Sequence, residues 1–154
     1  SLLAGTDYLS GNDMDTQTSA DTHAFDPLYG THHKFYGFMD YFYVGVPHMN
    51  VGLWDKYAGI RTVLSDQFSV QLMGHAFNSA ADIRRPADNE MLISYLGTEL
   101  DLTFAWKLSP AFNVVGGYSQ MLATESMEVV KGGGEHEQFQ NWVWLMLTAK
   151  PRLF

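Results

Sequence analysis

The sequence lacks cysteine and any long apolar run. Without cysteine in its 154 residues the chain has no disulfide framework and no thiolate metal site. It also has no uninterrupted apolar stretch near the roughly 18 to 20 residues that a membrane-spanning helix requires. Charged side chains make up only 17%, the net charge is -8, and Arg84-Arg85 is the one basic cluster. A helical membrane protein and a nucleic-acid partner are therefore both excluded.

Motifs of common enzyme and metal sites are missing as well. The sequence has no G-x-S-x-G element, nucleotide-binding loop or zinc-binding helix, so we expect neither an enzyme nor a cofactor. His75 and Ser119 are catalytic candidates only because their positions in the alternating pattern place them on the polar side of their strands. His32-His33 and Glu135-His136-Glu137 have no spacing that fixes a tetrahedral site, so we expect no metal. The acidic run from Asn12 to Asp15 departs from the calcium-loop pattern, and the sequence alone leaves a loop calcium site open.

What the chain does have is alternation of apolar and polar side chains, clearest from residue 92 to 108. One parity carries Leu96, Leu100, Leu102, Phe104, Trp106 and Leu108. The other carries Tyr95, Gly97, Glu99, Asp101, Thr103, Ala105 and Lys107. Strands of soluble proteins usually run about 5 to 6 residues, whereas a strand that crosses a bilayer takes about 9 to 11. The pattern predicts a transmembrane strand whose apolar side chains face lipid and whose polar side chains face a lumen.

Five further segments are predicted as strands, which gives about six in all: residues 2–9, 50–64, 68–80, 112–124 and 139–154. Tight turns of the form Leu-Ser-x-x-Phe at Ser65 and Ser109 alternate with long connections at 11–49, 82–90 and 125–138. Outer-membrane barrels have short periplasmic turns and longer extracellular loops. The pattern therefore predicts an all-β, antiparallel transmembrane β-barrel with extracellular long loops and a periplasmic C-terminus.

Six strands are fewer than the eight of the smallest single-chain outer-membrane barrels. We therefore expect upstream strands, or another chain, to complete the barrel. A soluble ligand-binding barrel is an alternative, in which the apolar parity would point inward.

Two stretches carry a resemblance to a known family. Residues 7–13 (DYLSGND) and 24–42 (AFDPLYGTHHKFYGFMDYF) resemble the alginate-export-type porins as they occur in Bacteroidetes. The resemblance implies a bacterial outer-membrane barrel of fourteen or more strands, with residues 1–154 as the C-terminal portion of its one domain. Phe154, after an aromatic-rich strand, resembles the signal recognised by the barrel-assembly machinery. The partners so implied are the lipid bilayer, lipopolysaccharide and that machinery, and the solutes are anionic or sugar-like.

The connection 11–49 is unusually aromatic from residue 25 to 45, so we expect a loop that is extracellular or folded into the lumen as a constriction. An aromatic cluster that caps the barrel rim is the equal alternative. The constriction candidates are His32, His33, Lys34, Tyr36 and Tyr41. The pore-lining candidates are Asp55, Tyr57, Arg61, His75, Tyr95, Glu99, Asp101 and Lys107. The expected function is a porin or channel wall, and the alternative is a non-conducting scaffold barrel in an outer-membrane complex.

Overall fold

The structure, a computed structural model, describes residues 1–15, 23–25, 35–42 and 50–151. Within these residues the elements in chain order are β1 (Leu2–Leu9), β2 (Leu53–Ser65), β3 (Phe68–Asn78), β4 (Ile83–Arg84), β5 (Met91–Leu92), β6 (Tyr95–Ser109), β7 (Phe112–Ala123), α1 (Glu125–Lys131) and β8 (Gln140–Ala149). The described part of the chain has no helix long and apolar enough to cross a membrane.

Six strands form one antiparallel sheet in the order β1-β2-β3-β6-β7-β8. The predicted antiparallel all-β architecture is therefore confirmed, with strand ends within a few residues of those expected. The sheet is open, and β1 and β8 are its edge strands. A separate two-stranded hairpin pairs β4 with β5.

The two tight turns lie at one end of the sheet, which we call the turn end. Ser65 Oγ accepts hydrogen bonds from the backbone N–H groups of Gln67 and Phe68, at 3.3 and 3.1 Å. Ser109 Oγ accepts the corresponding bond from Ala111 N–H, at 3.2 Å. The repeated Leu-Ser-x-x-Phe sequence therefore encodes the same side-chain-to-backbone turn twice. We call the opposite end of the sheet, which carries the long connections, the loop end.

The long connections at the loop end hold more regular structure than the sequence suggested. The segment 82–90 was expected to be a loop, but β4 lies within it and pairs with β5 just beyond it. The segment 125–138 begins with α1, which starts after the N-cap Thr124 and ends at Gly132 in the left-handed conformation with φ 75°. The strand expected from residue 92 is broken, because β5 ends at Leu92 and β6 begins at Tyr95.

The two faces of the sheet differ in polarity, and the exposed one is apolar. Large apolar side chains that stand exposed on this apolar face are Leu2, Ile60, Leu72, Leu100, Leu102, Trp106, Leu108, Leu122, Val143, Leu145 and Leu147. The opposite, polar face carries Asp55, Glu99, Asp101 and Ser119, each at most 1% exposed. Toward the loop end the polar face is therefore the buried one, and the apolar face is exposed.

An apolar cluster covers the polar face at the loop end, and we call it the closing core. It consists of Phe42, Val51, Leu53, Phe77, Ile83, Leu96, Met121, Met127 and Val130. Phe77 and Met121 belong to the sheet, and Met127 and Val130 come from α1. The helix and the loop that carries Phe42 therefore pack onto the end of the polar face.

A β-bulge at the start of β6 turns two residues to the opposite side from the one predicted. The register passes from Phe77 opposite Gly97 to Asn78 opposite Tyr95, so Leu96 is the extra residue. Leu96, expected on the apolar face, is fully buried in the closing core. Tyr95, expected in the lumen, instead lies on the apolar side, where its hydroxyl bonds to Thr98 Oγ1 at 2.6 Å. The sequence has Gly97 at this point, with φ 151°, and a glycine inside a strand is a frequent sign of a bulge.

Candidate functional site

The segment 35–42, which we call the inner loop, crosses the polar face of the sheet. Its position is fixed by Glu99 of β6, whose Oε1 accepts hydrogen bonds from the backbone N–H groups of Phe38 and Met39 at 2.6 and 2.9 Å. Gly37 lies directly over the same carboxylate with φ 82°, and a Cβ atom there would collide with it. The approach of this loop to Glu99 therefore requires glycine.

Further contacts hold the inner loop to the last part of the chain. Tyr41 donates its hydroxyl proton to Gln140 Oε1 of β8 at 2.7 Å, and Lys131 Nζ donates to the Tyr41 carbonyl. The Phe38 ring packs on Trp144 with centroids 5.7 Å apart. Burial lowers the pKa of Lys131 to about 8. Burial, and then the nearby Glu99 carboxylate, raise the pKa of Tyr41.

A cavity of about 230 Å³ lies between the inner loop and strands β1, β2, β3 and β6. Its lining comprises Asp7, Phe35, Tyr36, Gly37, Phe38, Asp55, Tyr57, Gln71, Met73, His75 and Asp101. The residues thus combine three carboxylates, one imidazole and several aromatic rings. Lysine and arginine are absent from this lining among the residues that the structure describes.

His75 sits between two buried carboxylates at the base of this cavity. Its Nδ1 lies 2.9 and 3.1 Å from the two carboxylate oxygens of Asp55, on the adjacent strand. Its Nε2 lies 3.8 Å from Asp101 Oδ2, which is too far for a hydrogen bond. Asp101 in turn accepts a short hydrogen bond of 2.5 Å from Ser119 Oγ through its other oxygen, Oδ1. The order Asp55, His75, Asp101, Ser119 spans four adjacent strands, β2, β3, β6 and β7.

The imidazole orientation is fixed by aromatic contacts and by its Asp55 bond. The His75 ring stacks on Phe77 at an interplanar angle of 17° and lies 5.6 Å from the Tyr57 ring. A carboxylate only accepts, so Nδ1 carries the proton in this contact. Asp101 Oδ2 and Glu99 Oε2 are buried and accept no N–H or hydroxyl donor from the described part of the chain, and the two carboxyl groups lie within hydrogen-bonding range of each other.

The structure brings together four of the eight residues expected to line a pore. Asp55, Tyr57, His75 and Asp101 line the cavity, and Glu99 binds the inner loop next to it. Arg61 and Lys107 lie on the polar face nearer the turn end and are exposed, away from the cavity. Tyr95 is the exception, since the bulge moves it to the other side of the sheet.

Of the five residues expected to form a constriction, two lie in the described inner loop. Tyr36 lines the cavity, and Tyr41 binds β8 and α1. His32, His33 and Lys34 lie outside the described residues. Asp7, Phe35 and Gln140 were not among the predicted site residues. For Asp7 a signal was present, because Leu3, Gly5 and Asp7 alternate along β1 and so share one of its faces.

The described residues contain no group of three or more His, Asp or Glu side chains arranged to hold a metal ion. The described lining of the cavity offers hydrogen-bonding groups, carboxyl groups and aromatic surface.

In comparisons with known proteins, no family model, curated protein or solved structure matches this chain.

Proposed function

We propose that the chain forms part of the wall of an outer-membrane β-barrel channel for small polar solutes, with the inner loop as its constriction. The observation that carries this proposal is the polarity of the sheet: carboxylates and a histidine are buried on one face, while large apolar side chains stand exposed on the other.

The large exposed apolar area favours lipid, rather than water, as the surroundings of the apolar face. Each square ångström of apolar surface left in water costs roughly 25 cal/mol, and soluble monomers rarely expose continuous apolar patches of more than a few hundred Å². Leu145 and Leu147 are 71% and 65% exposed, and the apolar side chains of the other strands continue the same surface. In a bilayer this surface contacts lipid tails without that cost.

Strand length is consistent with a membrane crossing. Strands β2, β3, β6, β7 and β8 have 13, 11, 15, 12 and 10 residues, and about 9 to 11 suffice for a tilted strand. Lipid does not tolerate unpaired strand edges. The proposal therefore requires further strands, from the same polypeptide or another chain, that pair with β1 and β8.

The expected preference for anionic or sugar-like solutes stays a prediction of the alginate-export resemblance. The inner loop offers aromatic rings of the kind that stack on sugars, including Tyr36 and Phe38. Arg61 and Lys107, the cations proposed to attract anions, are exposed on the polar face toward the turn end, away from the inner loop.

The proposal is tested by single-channel recording of the parent protein in a planar bilayer. We expect discrete conductance steps that oligosaccharides block. Gly37→Ala should enlarge the steps, because its Cβ would drive the inner loop away from Glu99. Gly132→Ala is the matched control: its φ of 75° is similar, but its Cβ would meet open space. A protein that inserts but conducts in neither form would overturn the channel.

A non-conducting scaffold barrel is the second candidate, and the closing core favours it. Phe42, Phe77 and Met127 fill the polar face at the loop end with apolar side chains, as a sealed barrel would require. Absence of conductance from the Gly37→Ala variant, with normal membrane insertion, would select this function.

A further inference from the structure

Two polar atoms in the cavity face each other without a hydrogen bond between them. They are Nε2 of His75 and Oδ2 of Asp101, 3.8 Å apart. Because Nδ1 of His75 donates to Asp55, the neutral imidazole presents Nε2 as an acceptor. Asp101 Oδ2 accepts no hydrogen bond from an N–H or hydroxyl group in the described part of the chain. A donor placed between the two atoms would therefore bond to both.

The surroundings favour a cationic donor. Asp7, Asp55 and Asp101 line the cavity, and its described lining includes no lysine or arginine to balance them. Asp101 is 1% exposed, so its charge is poorly screened by solvent. Phe35 and Tyr36 add aromatic rings, whose faces attract cations.

The two acceptors fit a primary ammonium. Such a group has three N–H donors on one atom and can give one bond to Nε2 and another to Oδ2. A quaternary ammonium has charge but no donor. The cavity of about 230 Å³ is below the usual range of roughly 300 to 1,000 Å³ for ligand pockets, so the ligand must be small.

We propose that the cavity under the inner loop binds a small primary ammonium ion through Asp101 and His75. The inference rests on the proposed function, because it takes the polar face as the lumen through which the amine passes. At this point of the wall the channel therefore selects positive charge, opposite to the anion preference expected from the family resemblance.

Equilibrium titration of the folded wild-type protein in detergent tests the proposal without a conductance measurement. We expect n-butylammonium to bind, with a dissociation constant in roughly the micromolar to millimolar range for so small a ligand. Tetramethylammonium, with the same charge and no N–H, should bind at least about tenfold more weakly. Butyrate, with the opposite charge, should not bind.

Asp101→Asn provides the side-chain test. It keeps the acceptor for Ser119 but replaces Oδ2 by an amide that donates, so n-butylammonium affinity should fall by about ten- to a hundredfold. Asp66→Asn removes the same charge from the exposed turn between β2 and β3 and should leave the affinity unchanged.

Three outcomes would overturn the ammonium site. One is equal binding of the three probes, and another is unchanged affinity in Asp101→Asn. The third is no binding of n-butylammonium, as expected if a water molecule or a proton held between Glu99 and Asp101 satisfies Oδ2. Amine binding without conductance would retain the site and reject the channel, whereas conductance without amine binding would do the reverse.

Discussion

The sheet has a loop half, toward the loop end, and a turn half, toward the turn end. The two halves differ in what covers their polar face. Toward the loop end, the closing core and the inner loop cover the polar face, and Phe77 and Glu99 are fully buried. Toward the turn end, Arg61 and Lys107 on the same face are exposed. The apolar face is exposed in both halves. The difference indicates that the loop half carries a cover over its polar face, whereas the described residues supply none over the polar face of the turn half.

The largest effect should come from removing a ring of the closing core. Phe77→Ala deletes a fully buried side chain that packs on Phe42 with ring centroids 4.6 Å apart. We expect the free energy of unfolding in detergent to fall by about 3 to 5 kcal/mol. Val63→Ala, on the polar face of the turn half and 68% exposed, should change it by less than about 0.5 kcal/mol. Equal losses measured by urea denaturation would remove the distinction between the halves.

A second comparison sets the two faces against each other at neighbouring positions. Leu102→Lys places a charge on the apolar face and should reduce folding into lipid vesicles by about 2 to 4 kcal/mol. Thr103→Lys places the same charge on the polar face and should be tolerated. The folded fraction in vesicles at increasing urea measures both. If the two variants insert equally well, the apolar face does not contact lipid.

Release of the inner loop should have an intermediate effect. Glu99→Ala removes the acceptor shared by the N–H groups of Phe38 and Met39, at a cost of about 1 to 3 kcal/mol if these groups stay buried. Hydrogen exchange at these two amides should accelerate, while exchange in β7 stays slow. Thr103→Ala, on the same strand and face, is the control. Unchanged protection in Glu99→Ala would show that other contacts hold the loop.

The last comparison concerns the pH dependence contributed by Lys131, which lies at the loop end. Its folded-state pKa of about 8 lies below the ordinary value of 10.5 because the side chain is buried. Between these values the unfolded chain binds more protons, so the free energy of unfolding should rise with pH. The window from pH 8 to 10 is the useful one, because the pKa values of Tyr36 and Tyr41 are raised above 10.0 by burial. Lys131→Met should flatten this rise in urea titrations, and a parallel curve would contradict it.

Alternation in the sequence was sufficient to predict the six long strands and their polar face, because each residue position fixes a side. It missed the bulge at Leu96, since register depends on pairing with β3 and on Gly97. The helix α1 did leave a signal: Thr124, Glu125 and Glu128 precede Lys131 and Gly132, an order typical of a short capped helix.

The candidate site was harder to predict, because its members meet only through strand pairing. Asp55 and His75 are twenty residues apart, and their contact is diagonal, since His75 itself pairs with Tyr57. The parity of each strand predicted the face but not this neighbour. The aromatic content of residues 25–45 predicted either a loop folded into the lumen or a cluster that caps the barrel rim. The attachment of the inner loop to Glu99 depends on Gly37 and on backbone donors that composition does not specify.

The attachments of the inner loop also set an order of assembly. Its bonds reach 61 residues forward to Glu99, 90 to Lys131 and 99 to Gln140, so each closes a long segment of chain. Such contacts form only after the intervening strands have paired, since the entropy lost on closing the chain must first be offset by the sheet. We therefore expect the inner loop to dock onto the polar face only after the strands of the sheet have paired.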